Sequence, residues 1–291
     1  FGYFTWDIMT AIENIELKDK TELLFEFQLP KSLLIFDHVQ QLLYITHSSF
    51  QKMDTQPLAN KIIEKMDSLL PGMKSTNLKK PETLDWSKVS MNVTKEEFED
   101  YVEKVKEHIK EGDIFQGVLS QKFRVEREKD SISVYRSLRH INPSPYMFYF
   151  NYGDYKIIGS SPEILVQSKN SKVTVRPIAG TRKRTFKNEK EIIEELKADE
   201  KEKAEHIMLV DLGRNDLGRV CDFDSIKISD LMTIEKYSHV IHMVSNVVGD
   251  LKVGQTPIDV IKATFPAGTV SGAPKIRAIE IIDELEPDQR S

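Results

Sequence analysis

The sequence predicts an α+β fold. Helical and strand-like periodicities alternate along its 291 residues. The strand-like runs come in groups joined by short polar turns, as in antiparallel pairs. Helices fall between those groups instead of following every strand, which argues against a parallel sheet.

Residues 1–70 mix short strands with helix, and 33–38 with 41–46 reads as a hairpin. Residues 56–70 read as a helix stopped by Pro71-Gly72. Residues 71–93, with Pro71, Gly72 and Pro81, show little periodicity and are expected to be a connector. Thr94 opens a clear helix. With Glu97 it fits a capping box, Phe98, Tyr101, Val102, Val105 and Ile109 share one face, and Gly112 stands at the stop. A strand is expected at 114–126, a short helix at 131–139, and strands at 146–152, 155–160, 164–167 and 172–177. A long helix at 188–220 and strands over 226–248, broken near Tyr237, come next. A short helix at 257–263, a loop at 265–271 and a final helix at 272–284 complete the order.

Hydrophobic residues make up 40% of the chain and the net charge is −5, with both signs interspersed and no basic block. Bulk nucleic-acid binding is therefore not expected. Cys221 is the single cysteine, which excludes an internal disulfide and a thiolate zinc cluster. No signal peptide and no bilayer-length apolar run is read, so no membrane is expected and cytoplasm is the default location. Both ends look abrupt, and the chain is expected to be an internal piece of a longer protein.

Five stretches combine residue types suited to chemistry. Glu202 and Glu205, three apart on the 188–220 helix, share one face. They read either as a solvated acidic face or as oxygen ligands for a hard divalent cation. His206, Asp211, Arg214 and Asp216 lie on the same helix; for Arg214 and Asp216, ion pairs with neighbouring strands are expected. The run 264–275 is a small-residue loop feeding a helix, with Ser271 a plausible N-cap, Pro274 in the first turn and Thr269 a spare hydroxyl donor. The run 177–182 reads as a small-residue turn in which Gly180 would let a ligand approach the backbone and Thr181 and Arg182 would serve a carboxylate or hydroxyl. Glu163, after Ser161-Pro162, is either a pocket acid or part of an exposed bend. His239 and His242 fall on opposite faces of a strand, where a buried histidine is commonly structural but can also exchange protons near neutrality.

Taken in order, the stretches 142–147, 159–163, 177–182, 201–216, 237–242 and 264–275 resemble the chorismate-utilising enzymes, and within them the anthranilate synthase component I group. The likeness is strong over 94–287 and weak over 1–70. Gln116 stands where isochorismate and salicylate synthases carry a water-activating lysine, and Ala179 where aminodeoxychorismate synthases typically have lysine. The resemblance implies a four-layer α/β/β/α architecture with two orthogonally packed, mainly antiparallel sheets, truncated at both ends. It divides the chain into a remnant of an N-terminal region (1–70), a connector (71–93) and a chorismate-binding catalytic domain lacking its C-terminal part (94–291). It implies Mg²⁺-dependent amination of chorismate, with ammonia from a glutamine amidotransferase subunit, and then pyruvate elimination to anthranilate. His242 and Glu163 match proton-transfer positions, and Gly180, Thr181 and Thr269 match substrate-binding ones. Glu202 matches a direct Mg²⁺ ligand and Glu205 one that acts through water. Pro143, Ser144, Pro145, Tyr146 and Met147 match a feedback pocket for tryptophan. The alternatives are an aminodeoxychorismate synthase and a non-catalytic relative. The chain departs from the pattern at Lys183 and Thr185, where proline and glycine are usual. Further site residues of the family would lie beyond Arg290, so this piece alone is expected to be inactive.

Overall fold

The computed structural model describes residues 1–19, 21–50, 54–72, 85–126, 130–185, 188–237 and 240–290. Its contacts form two compact units, Phe1–Phe4 with Phe25–Leu84, and Thr5–Leu24 with Asp85–Ser291. These units do not follow the boundaries drawn at 70 and 94. Residues 5–24 join the second unit because Met9, Ile15 and Leu17 bury against Ile279 near its end.

In the first unit β1 (Gly2–Phe4) pairs with β2 (Phe25–Phe27), and β3 (Ser32–Asp37) with β4 (Leu42–His47). The hairpin sits within one residue of its expected place. Its turn is held by the Asp37 carboxylate, which accepts from the backbone N–H groups of Val39 and Gln40. Helix α1 (Gln56–Leu69) ends in a 3₁₀ turn over Leu70–Gly72.

The second unit begins with β5 (Val89–Met91) and α2 (Lys95–Glu111). The capping box forms as expected: Thr94 Oγ1 accepts from Glu97 N at 3.2 Å and Glu97 Oε2 from Thr94 N at 2.8 Å. Gly112 ends the helix at φ 85°. The strand expected at 114–126 is two short ones, β6 (Gln116–Gly117) and β7 (Phe123–Val125). Between them the buried Glu286 carboxylate captures the Ser120 amide and hydroxyl and draws the chain out of line. Strand β7 pairs with β5, so part of the expected connector is sheet; residues 73–84 of it lie outside the described residues. Helix α3 (Ser131–Ile141) precedes the hairpin β8 (Tyr146–Asn151) and β9 (Lys156–Ser161).

The rest of the unit is organised on one sheet. Its strands are β10 (Gln167–Lys169), β11 (Lys172–Val175), β12 (Ile178–Lys183), β13 (Lys227–Lys236) and β14 (Val240–Asp250), all antiparallel. The long β14 is the hub. It pairs with β11 and β12 in succession along one edge and with β13 along the other, so that Val247 opposes both Val175 and Ile228. The expected strand at 164–167 shifts to β10, and the turn expected at 177–182 is strand β12.

The expected 188–220 helix is two helices, α4 (Glu189–Ala198) and α5 (Glu200–Val220). Asp199 divides them. Its backbone is extended and its carboxylate caps α5 by accepting from the amides of Lys201 and Glu202 at 3.0 and 3.1 Å. Helix α5 buries Val210, Leu217 and Val220 against Val173 and Val247 of the sheet and Val260 and Ala263 of α6 (Pro257–Thr264). Strand β15 (Gly272–Ala273) pairs with β6, and α7 (Lys275–Leu285) closes the order.

Candidate active site

Strand β12 gathers the candidate groups. Its register against β14 skips Gly180, so Ala179 faces Met243 and Thr181 faces His242. Gly180 is a bulge at φ 74°, a conformation that suits glycine, and a Cβ there would lie 2.9 Å from Leu196 Cδ1 and 3.4 Å from Glu202 Oε2. The bulge therefore brings bare backbone up to the Glu202 carboxylate and aims the next side chain at the histidine. Thr181 Oγ1 lies 3.0 Å from His242 Nδ1.

His242 is buried, and burial holds its imidazole below the usual range, against the opposing pull of a Gly180 backbone hydrogen bond and the Glu235 carboxylate. At neutral pH the ring is uncharged and able to accept a proton. The Tyr237 ring meets it edge to face at 5.5 Å, and the Tyr237 hydroxyl donates to Glu235 at 2.8 Å.

Glu163 lies at the other end of β12. It lines a small pocket with Val175, Pro177, Leu209, Asp216 and Thr269. Burial among these groups pushes its carboxyl up to about 6, against hydrogen bonds from the Ile178 backbone and the Thr269 hydroxyl. The Thr269 contact is long, 3.4 Å. Near neutrality Glu163 can both hold and release a proton, the property a general acid/base needs.

Glu202 reaches β12 from the first turn of α5. Arg182 donates to its Oε1 at 2.8 Å and also pairs with Asp199 at 2.8 Å and Glu195 at 3.3 Å. Glu202 Oε2 is the oxygen beside Gly180. Glu205 is half-buried three residues further along α5. The donors here are carboxylate oxygens, and the missing Cβ of Gly180 leaves room beside Oε2, so the residues fit a hard cation such as Mg²⁺. The Arg182 guanidinium holds the other oxygen, Oε1, and so fixes the orientation of the carboxylate. A second group of potential ligands, His108, Glu111 and Asp113, lies at the end of α2. There His108 Nδ1 is already 2.8 Å from Asp113 Oδ2 and Arg277 is 3.5 Å from the same carboxylate.

The chorismate binding enzyme family matches residues 1–291. The chain belongs to the chorismate-binding enzymes. Anthranilate synthase component 1 of Aquifex aeolicus is 55% identical over 214 residues, 73% of this chain and 43% of that protein. Its counterpart in Acetivibrio thermocellus is 43% identical over 302 residues, 99% of this chain and 61% of that protein. A crystal structure of anthranilate synthase component I from Streptococcus pneumoniae matches with a TM-score of 0.83 at 37% identity, over 99% of this chain and 65% of that one. The chain thus spans about three-fifths or less of the curated relatives' length.

Gly180 and Thr181 lie on β12, Glu163, Glu202 and His242 lie against it, and Thr269 joins them through Glu163. Pro143, Ser144 and Pro145 lead into β8, whose first residues are Tyr146 and Met147; the Ser144 hydroxyl donates to Ser161 O, and the Ser161 hydroxyl to Glu163 O. His239 lies outside the described residues. Ser271 is not the N-cap of α7; its hydroxyl donates to Ala267 O at 2.9 Å, and α7 starts four residues later with no side-chain cap. Arg214 pairs with Asp211 of its own helix, and Asp216 with Lys275 of α7, so neither pairs with a strand. From the sequence Arg182 is a donor suited to a carboxylate or hydroxyl with no partner named, and Lys275, Glu235 and Glu286 do not stand out. A basic residue immediately after the G-T pair was the available signal for Arg182; partners distant in sequence left none for the others. Among the described residues no helix is long and apolar enough to cross a membrane.

Proposed function

We propose that the chain carries the chorismate-aminating site of an anthranilate synthase large subunit. The observation that supports this best is the convergence on β12 of a carboxyl near pH 6, an uncharged histidine and a room-flanked glutamate, in a chain 55% identical to an anthranilate synthase component 1. Gln116 fits the same reading, because an amide cannot serve as the base that activates water for isochorismate formation.

In the proposed reaction ammonia forms a bond at C2 of chorismate, the ring double bonds shift and the C4–O bond breaks. The departing hydroxyl takes a proton and leaves as water, and the added nitrogen loses one. Pyruvate is then eliminated with loss of a ring proton, giving anthranilate. Glu163 and His242 are the groups able to hold and accept these protons. In this reading the Gly180 backbone and the Thr181 and Thr269 hydroxyls donate to anionic substrate oxygens. Mg²⁺, held by Glu202 directly and Glu205 through water, would supply positive charge for the ring carboxylate. The reading also carries the four-layer architecture, a glutamine amidotransferase subunit as ammonia source, feedback by tryptophan at 143–147 and a cytoplasmic location.

The test is anthranilate fluorescence from chorismate, ammonium and Mg²⁺ with the full-length polypeptide that carries these residues. Turnover should stop in EDTA and fall at least about tenfold in Glu202→Gln. Aminodeoxychorismate as the product, identified by mass, would move the assignment to that synthase. Undiminished turnover in EDTA would remove the metal from it.

A further inference from the structure

Two buried ion pairs flank the loop that carries Thr269, and the proposed chemistry uses neither. Lys275, at the start of α7, places its ammonium 3.0 Å from each oxygen of Asp216 on α5; both side chains are only 9% exposed. Its third polar contact is a donation to Thr264 O at 3.0 Å, where the loop leaves α6. At the other end Arg290 pairs with Glu286 at 2.5 Å and donates to Val270 O, next to Thr269, at 2.5 Å. Its second arm donates to Val118 O, and its plane lies 4.7 Å from the Trp6 ring. Each cation is therefore fixed on a buried carboxylate and donates a hydrogen bond to a carbonyl at one end of the 264–270 span. A buried ion pair is weak support for stability and is better explained by what it positions.

We infer that Lys275, anchored by Asp216, and Arg290, anchored by Glu286, are positioning residues that hold the Thr269 hydroxyl against Glu163. Thr269 is the side chain of this loop that reaches the Glu163 carboxylate. Asp216 is the other titratable group in the pocket lining, and Lys275 pairs it. The inference deepens the proposed role of Glu163 and rests on it. Its test reads the Glu163 carboxyl directly, without turnover, so a failure of the proposed reaction would show separately.

The experiment is a pH titration of Glu163 by ¹³C NMR in glutamate-labelled 291-residue chain, assigned with Glu163→Gln. Lys275→Met alone would strand a buried carboxylate, so the variant is the charge-balanced pair Asp216→Asn with Lys275→Met. Thr269→Val should raise the Glu163 midpoint by about half a unit, the value of one lost weak hydrogen bond. The balanced pair should raise it by a similar amount and add nothing on top of Thr269→Val. Arg290→Met with Glu286→Gln should act the same way, and it carries the test if the first pair does not fold. A folded pair with an unchanged midpoint, or a rise that adds to that of Thr269→Val, would overturn the inference.

Discussion

Glu163 shows how one side chain links stability to chemistry. Its carboxyl titrates near 6 when folded and near 4.5 when exposed. Below pH 4.5 both states hold the proton and the shift changes nothing. Between 4.5 and 6 the folded state holds it more tightly, so stability falls as pH rises, and above 6 the whole penalty is present. Glu163→Gln should therefore stabilise the chain by about 1–2 kcal/mol at pH 7.5 and leave it unchanged at pH 4. Urea denaturation at the two pH values checks this, and equal stabilisation at both would contradict it. The sequence placed a carboxylate after Ser161-Pro162 but left its environment open. Burial comes from Leu209, Pro177 and Thr269, which are between 14 and 106 positions away and meet it only in the folded chain. Glu202 and Glu205 were legible because their relation is local to one helix.

At the scale of elements, β12 is where the reading from sequence fell short and where the candidate groups meet. P-I-A-G-T-R looks like a turn because glycine and proline are close together. Tertiary pairing with β14 overrides that signal, and the glycine becomes a bulge inside a strand. Gly180→Ala should cost about 1–3 kcal/mol, since it combines φ 74° with a 2.9 Å approach to Leu196. It should also weaken the proposed Mg²⁺ binding, because the new methyl sits in the space beside Glu202. A melting curve with a calorimetric Mg²⁺ titration measures both; a variant matching the parent in each would refute the bulge argument. The break at Asp199 was legible in principle, since aspartate is a favoured N-cap. Continuous helical periodicity on both sides masked it. The capping box at Thr94 was read correctly because every residue that makes it lies within four positions.

At the scale of the whole molecule, the α+β class followed from the alternation of periods, and the chorismate-binding family followed from six short runs in order. The division into units did not follow, because it depends on contacts such as Met9 with Ile279, 270 positions apart. Residues 5–24 are built into the second unit: Met9 is 1% exposed, and Lys18 N donates to Asp283 at 2.9 Å. Met9→Ala should destabilise that unit by about 2–4 kcal/mol. Denaturation followed by a probe in the second unit checks this, and a change under about 1 kcal/mol would show that the segment is only laid on its surface.

One strand borders nearly every proposed group, and this shapes how the protein can vary. Substitutions on its outer helices touch the groups one at a time. A single residue inserted or deleted between Ile178 and Thr181 would shift the pairing with β14 by one place. The proposed proton carriers and the glutamate would then lose their mutual alignment in one event. Lineages of this chain should accordingly drift freely in side chains around that segment while keeping its length fixed.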